Sequence, residues 1–219
     1  MSVPTLVVAN KRYSSWSLRP WLVMTHFALP FHEVGVLLDT PGSKASILAW
    51  SPSGRVPCLV DGDIRVWETL AIIEYLAETH PDLPIWPRDR AARAEARAIA
   101  AEMHAGFQAL RSACPMNLGR RFDWKPRGGA AAAADVARIV DLWRNARTRS
   151  AGTGPFLFGE FSAADAMYAP VVTRLDTYSW PLDPDTRAYV DAVLGLPAFR
   201  TWKAAADLET ATVPSDEVD

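Results

Sequence analysis

The chain has 219 residues, 49% hydrophobic and 22% charged, enough to bury a sizeable core and unlike a disordered or fibrous protein. Its 23 basic and 25 acidic side chains leave a formal charge of -2, which argues against nucleic-acid binding through bulk charge. Cys58 and Cys114, its only cysteines, stand far apart and outside any CxxC or metal-ligand spacing, so neither a disulfide framework nor a structural metal is expected.

The first residues, MSVPTLVVANKRY, have no basic stretch before their short apolar run, and the chain contains no apolar run of membrane-spanning length. A cytoplasmic protein with no membrane partner is expected. TLVVAN reads as a buried strand. Leu18, Trp21, Leu22 and Ala28 then recur at helical spacing, with Ser17 the expected N-cap and Pro20 placed in the first turn. HEVGVLL reads as a second strand. VPCLVDGDIRVW reads as a hairpin about Asp61-Gly62-Asp63, and ETLAIIEYLAETH as an amphipathic helix. The order is β-α-β, a connection, then β-β-α. A proline-rich linker, HPDLPIWPRDR, follows. Beyond it the texture turns to alanine and arginine, and AARAEARAIAAEMHAGFQAL and AAAADVARIVDLWRNARTR read as long helices. Ser162-x-x-Asp165 has the spacing of a capping box. LPAFRTWKAAADLE reads as a last helix and TATVPSDEVD as a frayed tail. These readings divide the chain into an α/β domain (1–80), a linker (81–90) and an all-helical domain (91–219).

Three features carry candidate chemistry. Pro57, opening a strand after Val56, is either an ordinary trans edge proline or a cis one that leaves Val56's backbone free to pair with an extended peptide. Glu68-Thr69 sits at a helix start, where unpaired N–H groups suit a carboxylate and an acid alongside suits an ammonium group; the same pair also serves as a plain cap. Ser14, Ser15 and Ser17 crowd the start of the first helix, where a hydroxyl can stabilise a bound thiolate. A serine nucleophile is disfavoured, since there is no G-x-S-x-G elbow and no pattern singles out His26, His32, His80 or His104 as a base.

Together SSWSLRPWL, the run from SPSGRVPCLVDG through WETLAIIEYL to LPIWP, and FSAADAMYAP resemble the glutathione transferases over nearly the whole chain. The resemblance implies a thioredoxin-like N-terminal domain with a helical C-terminal domain. It implies glutathione as substrate or cofactor without a metal, a small electrophile as second partner, and a homodimer. It places glutathione on Arg55, on Val56 with a cis Pro57, and on Glu68 and Thr69. SSWSLR is most similar to the zeta class, which includes maleylacetoacetate isomerases, and this implies Ser14, with Ser15 beside it, as the hydroxyl that activates the thiol. Tyr13 is the tyrosine alternative. Trp16 stands where that class has cysteine. Trp16, Met103, Phe107, Met116 and Arg174 are the implied electrophile pocket, with Arg174 otherwise read as a surface residue. The implied activity is glutathione transfer; the alternatives are a dedicated maleylacetoacetate isomerase and a non-catalytic glutathione-fold binding protein.

Overall fold

The computed structural model describes residues 3–150 and 153–219. Its sheet has the order β2-β1-β3-β4, built from β1 (Thr5–Ala9), β2 (His32–Val36), β3 (Cys58–Asp61) and β4 (Ile64–Trp67). β1 and β2 run parallel and therefore need a crossover, which α1 (Ser15–His26) provides. β3 is antiparallel to both β1 and β4, and the β3–β4 turn has Gly62 at φ +59°. Side chains alternate along β1. Leu6 and Val8 join the main core, while Val7 and Ala9 meet Val36, Ile47 and Cys58 on the other face. Ile47 comes from α2 (Ser43–Leu48), a short helix whose only buried residue it is, so no periodic pattern announces it. Helix α3 (Thr69–Thr79) packs on the same side as α1.

The rest is helical: α4 (Arg90–Ala105), α5 (Gln108–Ala113), α6 (Gly129–Arg149), α7 (Ala163–Thr177), α8 (Pro184–Leu194) and α9 (Pro197–Asp207). The long helix expected from Ala91 to Leu110 is broken. Gly106 is extended and Phe107 left-handed at φ +59°, so α5 leaves α4 at an angle. α8 was not evident from periodicity, although Asp183-Pro184 carries its start signal: Asp183 caps the N–H groups of Asp185 and Thr186. Among the described residues, no helix is long and apolar enough to cross a membrane.

α7 is the hub of the molecule. Every residue but Asp176 is buried, and the helix packs against both α1 and α4. Its start is held by Asp165, wholly buried, which accepts hydrogen bonds from the N–H groups of Leu157 and Ser162 and from the hydroxyls of Ser162 and Tyr189. Burial pushes its carboxyl up to about 6 against the pull of those four donors. The tail expected to fray is ordered instead. Val213 is buried, a 3-10 turn covers Pro214–Asp216, and Glu217 is tied to three side chains. Asp165→Ala strands two backbone N–H groups in the core, so chemical denaturation should show a loss of about 3 kcal/mol. Glu209→Ala also frees two backbone N–H groups, those of Lys11 and Arg12, but these are only part-buried and water can reach them, so by the same measurement it should cost less than half of that.

Candidate functional site

The site begins with a proline. α1 is capped by Ser14, whose Oγ accepts from the N–H of Ser17; the expected cap, Ser17, lies inside the helix. Moving the start back three residues puts Pro20 in the second turn rather than the first. Proline has no N–H, so the carbonyl of Trp16, four residues earlier, loses its helical donor. The hydroxyl of Thr69 supplies the missing hydrogen bond, at 3.0 Å. Thr69 is the first residue of α3, so this contact ties the N-terminal ends of α1 and α3 together. Its proton is therefore committed within the protein; what faces outward at α3 is the first turn's N–H groups and their positive end.

The three serines separate into distinct roles. Ser17 is fully buried; its Oγ accepts from the N–H of Ala9 at 3.1 Å and from the hydroxyl of Ser14 at 2.8 Å. Ser14 is buried, both capping the helix and donating inward. Ser15 is half-exposed, and its hydroxyl has no hydrogen-bond partner among the described residues. Tyr13 donates its phenol proton to Glu217 at 2.5 Å, and burial together with that carboxylate raises its pKa.

Two adjoining cavities meet at these residues. The smaller, about 300 Å³, is lined by Trp16, Arg55, Val56, Pro57, Glu68, Thr69, His104 and Arg111. The Val56-Pro57 bond is cis, so the trans reading is set aside, and the backbone of Val56 makes no hydrogen bond to another described residue. Glu68 has φ +71°, a conformation that a non-glycine residue rarely adopts and that costs about 1–3 kcal/mol. Its carboxylate lies 3.8 Å from Nε2 of His104 on α4. Burial lowers the His104 pKa; Glu68 opposes this, while Arg19 and Arg111 reinforce it.

The larger cavity, about 510 Å³, holds Ser14, Ser15, Trp16, Met116, Arg111, Arg174 and Asp216 among its walls. Arg174 is not on the surface. It is 5% exposed, donates from Nε to the carbonyl of Cys114 at 2.8 Å and from one terminal nitrogen to Pro170 at 3.1 Å, and burial lowers its pKa to about 10. Trp16 forms the partition between the cavities, with the guanidinium carbons of Arg19 and Arg111 at 4.2 and 4.8 Å from its ring and His104 edge-on at 5.1 Å. Met103 and Phe107 lie in the core and line neither cavity. His104, Arg111 and Asp216 join the site from elements that carry no motif, and no local signal marks them.

Models of two domains match this chain: the glutathione S-transferase N-terminal domain over residues 13–79 and the C-terminal domain over residues 90–205. The chain belongs to the glutathione S-transferase family. It is 28% identical to the maleylacetoacetate isomerase of Rattus norvegicus, over 90% of each chain. A probable maleylacetoacetate isomerase of Caenorhabditis elegans is 39% identical over 49% of each, and the chain spans about half or less of the length of the first few such relatives. The fold is shared with a glutathione transferase homolog from Burkholderia with bound glutathione, at 24% identity and a TM-score of 0.71, covering 95% of this chain and 100% of that one. A silkworm transferase that metabolizes diazinon aligns with a TM-score of 0.72 at 16% identity, covering 94% and 98%.

The contact that links the two helix ends can be measured in this transferase-family chain. Thr69→Val should lower stability by about 1–3 kcal/mol, because it leaves the part-buried Trp16 carbonyl without its donor. In a Pro20→Ala background the helix supplies that donor itself. The cost of Thr69→Val there should fall by at least half in a double-mutant cycle of urea unfolding; equal costs would show that Thr69 does not serve that carbonyl.

Proposed function

We propose that the chain binds glutathione across the two cavities and activates its thiol with the hydroxyl of Ser15. In this reading the cysteinyl backbone pairs with Val56 beside the cis proline, and the γ-glutamyl carboxylate meets the first-turn N–H groups of α3. Glu68 holds the ammonium group, and Arg55 lies along the same wall. The observation that carries the reading is the division of labour among the serines. Ser14 and Ser17 satisfy each other and the backbone, whereas Ser15 alone presents a hydroxyl without a partner, on the wall of the larger cavity and at the positive end of α1. A donor in that position favours the thiolate over the thiol, and the thiolate is the nucleophile. The alternative, a binding module, would use the cradle of Val56, Glu68 and α3 but would not require a hydroxyl on the adjoining wall of the larger cavity.

Arg111 and Arg174 favour an acidic electrophile in the larger cavity, such as the maleylacetoacetate after which several relatives are named. Isomerisation is therefore retained beside conjugation as a second reading. A homodimer is part of the proposal, supported by β4, an edge strand whose Ile64 and Trp67 are 50% and 43% exposed.

The test is the ultraviolet thiolate absorbance of bound glutathione, titrated against pH. Wild type should show a thiol pKa well below the ordinary value of about 8.5. Ser15→Ala should return it to that value with affinity changed less than about threefold. Ser14→Ala should instead lose about 1 kcal/mol of stability through the lost cap and keep the lowered pKa. The opposite outcome would transfer the role to Ser14, and no binding to immobilised glutathione would leave the binding-module reading.

A further inference from the structure

The C-terminal segment closes one wall of the larger cavity. Glu209 accepts from the N–H groups of Lys11 and Arg12 at 2.6 and 2.9 Å. Beyond it, Glu217 accepts from Tyr13 at 2.5 Å, from Asn117 at 3.0 Å, and from Arg120 at 3.1 and 3.0 Å. Between these anchors Val213 is buried, and the 3-10 turn leaves Asp216 in the cavity wall with Arg111 and Arg174.

Asp216 contributes nothing to this anchorage through its side chain. Its backbone carbonyl accepts from Asn117 at 3.4 Å, but its carboxylate has neither a hydrogen bond nor an ion pair among the described residues. Burial pushes that carboxyl up, and only Arg174 opposes the push; Asp39 and Glu217 add to it. One terminal nitrogen of Arg174 is likewise without an acceptor among the described residues, its other two nitrogens being taken by Cys114 and Pro170. An acid and a base thus share a cavity without closing on each other. An anionic group that enters is attracted by the arginines and repelled by Asp216, while a neutral group of the same shape feels much less of either.

We infer that Asp216 is a specificity-determining residue of the electrophile cavity, restraining its affinity for anionic co-substrates that Arg111 and Arg174 would otherwise hold tightly. The inference deepens the glutathione reading and rests on it. Two S-substituted glutathiones make the probe, S-(carboxymethyl)glutathione and its neutral counterpart S-(carbamoylmethyl)glutathione. They share the peptide and differ only in the charge placed in the cavity.

Calorimetric titration of wild type, Asp216→Asn and Asp216→Ala gives the ratio of the two affinities. Both substitutions should raise the acid-to-amide ratio by about five- to tenfold at low salt, and the gain should shrink as salt is added. Affinity for the amide should change less than about twofold, and the melting midpoint of each variant serves as the check on folding. An unchanged ratio in both variants overturns the inference while leaving glutathione binding intact. Failure of wild type to bind either probe removes the glutathione reading itself, and this inference falls with it.

Discussion

The site depends on a hydrogen bond that a proline cannot make. Because Pro20 has no N–H, the Trp16 carbonyl must find a donor outside its own helix, and Thr69 provides it from the first residue of α3. The two helix ends then cannot drift apart without depriving a part-buried carbonyl of its donor. Both carry the positive end of a helix dipole, so the bond holds two sources of positive potential at a fixed separation. An anionic group at either one meets a preorganised field.

Three arginines strengthen that field. Arg19 is 1% exposed and lacks a carboxylate partner among the described residues; it is held by the carbonyls of Met167 and Ser15 and by the face of Trp16. Burial drives its pKa down, and Arg174 and Arg111 drive it further. Clustered cations of this kind are costly unless something anionic relieves them. The proposed binding of glutathione, with its carboxylates and thiol, would relieve this cost.

Much of the α/β half was legible because its signals are local: apolar runs of strand length, the Asp61-Gly62-Asp63 turn, and the helical face after Glu68. The composite from Val56-Pro57 to Glu68-Thr69 also sits within one stretch of chain, and the structure brings it to one cavity. What escaped was set by distance. Among three serines in four positions, nothing local distinguishes a cap at Ser14 from one at Ser17, yet the choice moves Pro20 by a full turn. Arg174 reads as a surface residue because its acceptors, the carbonyls of Cys114 and Pro170, leave no trace in side-chain chemistry. The tail reads as frayed because the partners of Glu217 include Tyr13, about two hundred residues away.

Trp16 lines both cavities, together with Arg55, Val56 and Arg111. Met116 and Gln108 line only the larger one, and Glu68 and His104 only the smaller. Variation at those positions can reshape one compartment and leave the other alone. At position 16 it cannot: any change in ring size also alters the stacking surface for two guanidinium groups. The indole therefore couples the two compartments, because the residue that shapes one of them is also part of the other's wall.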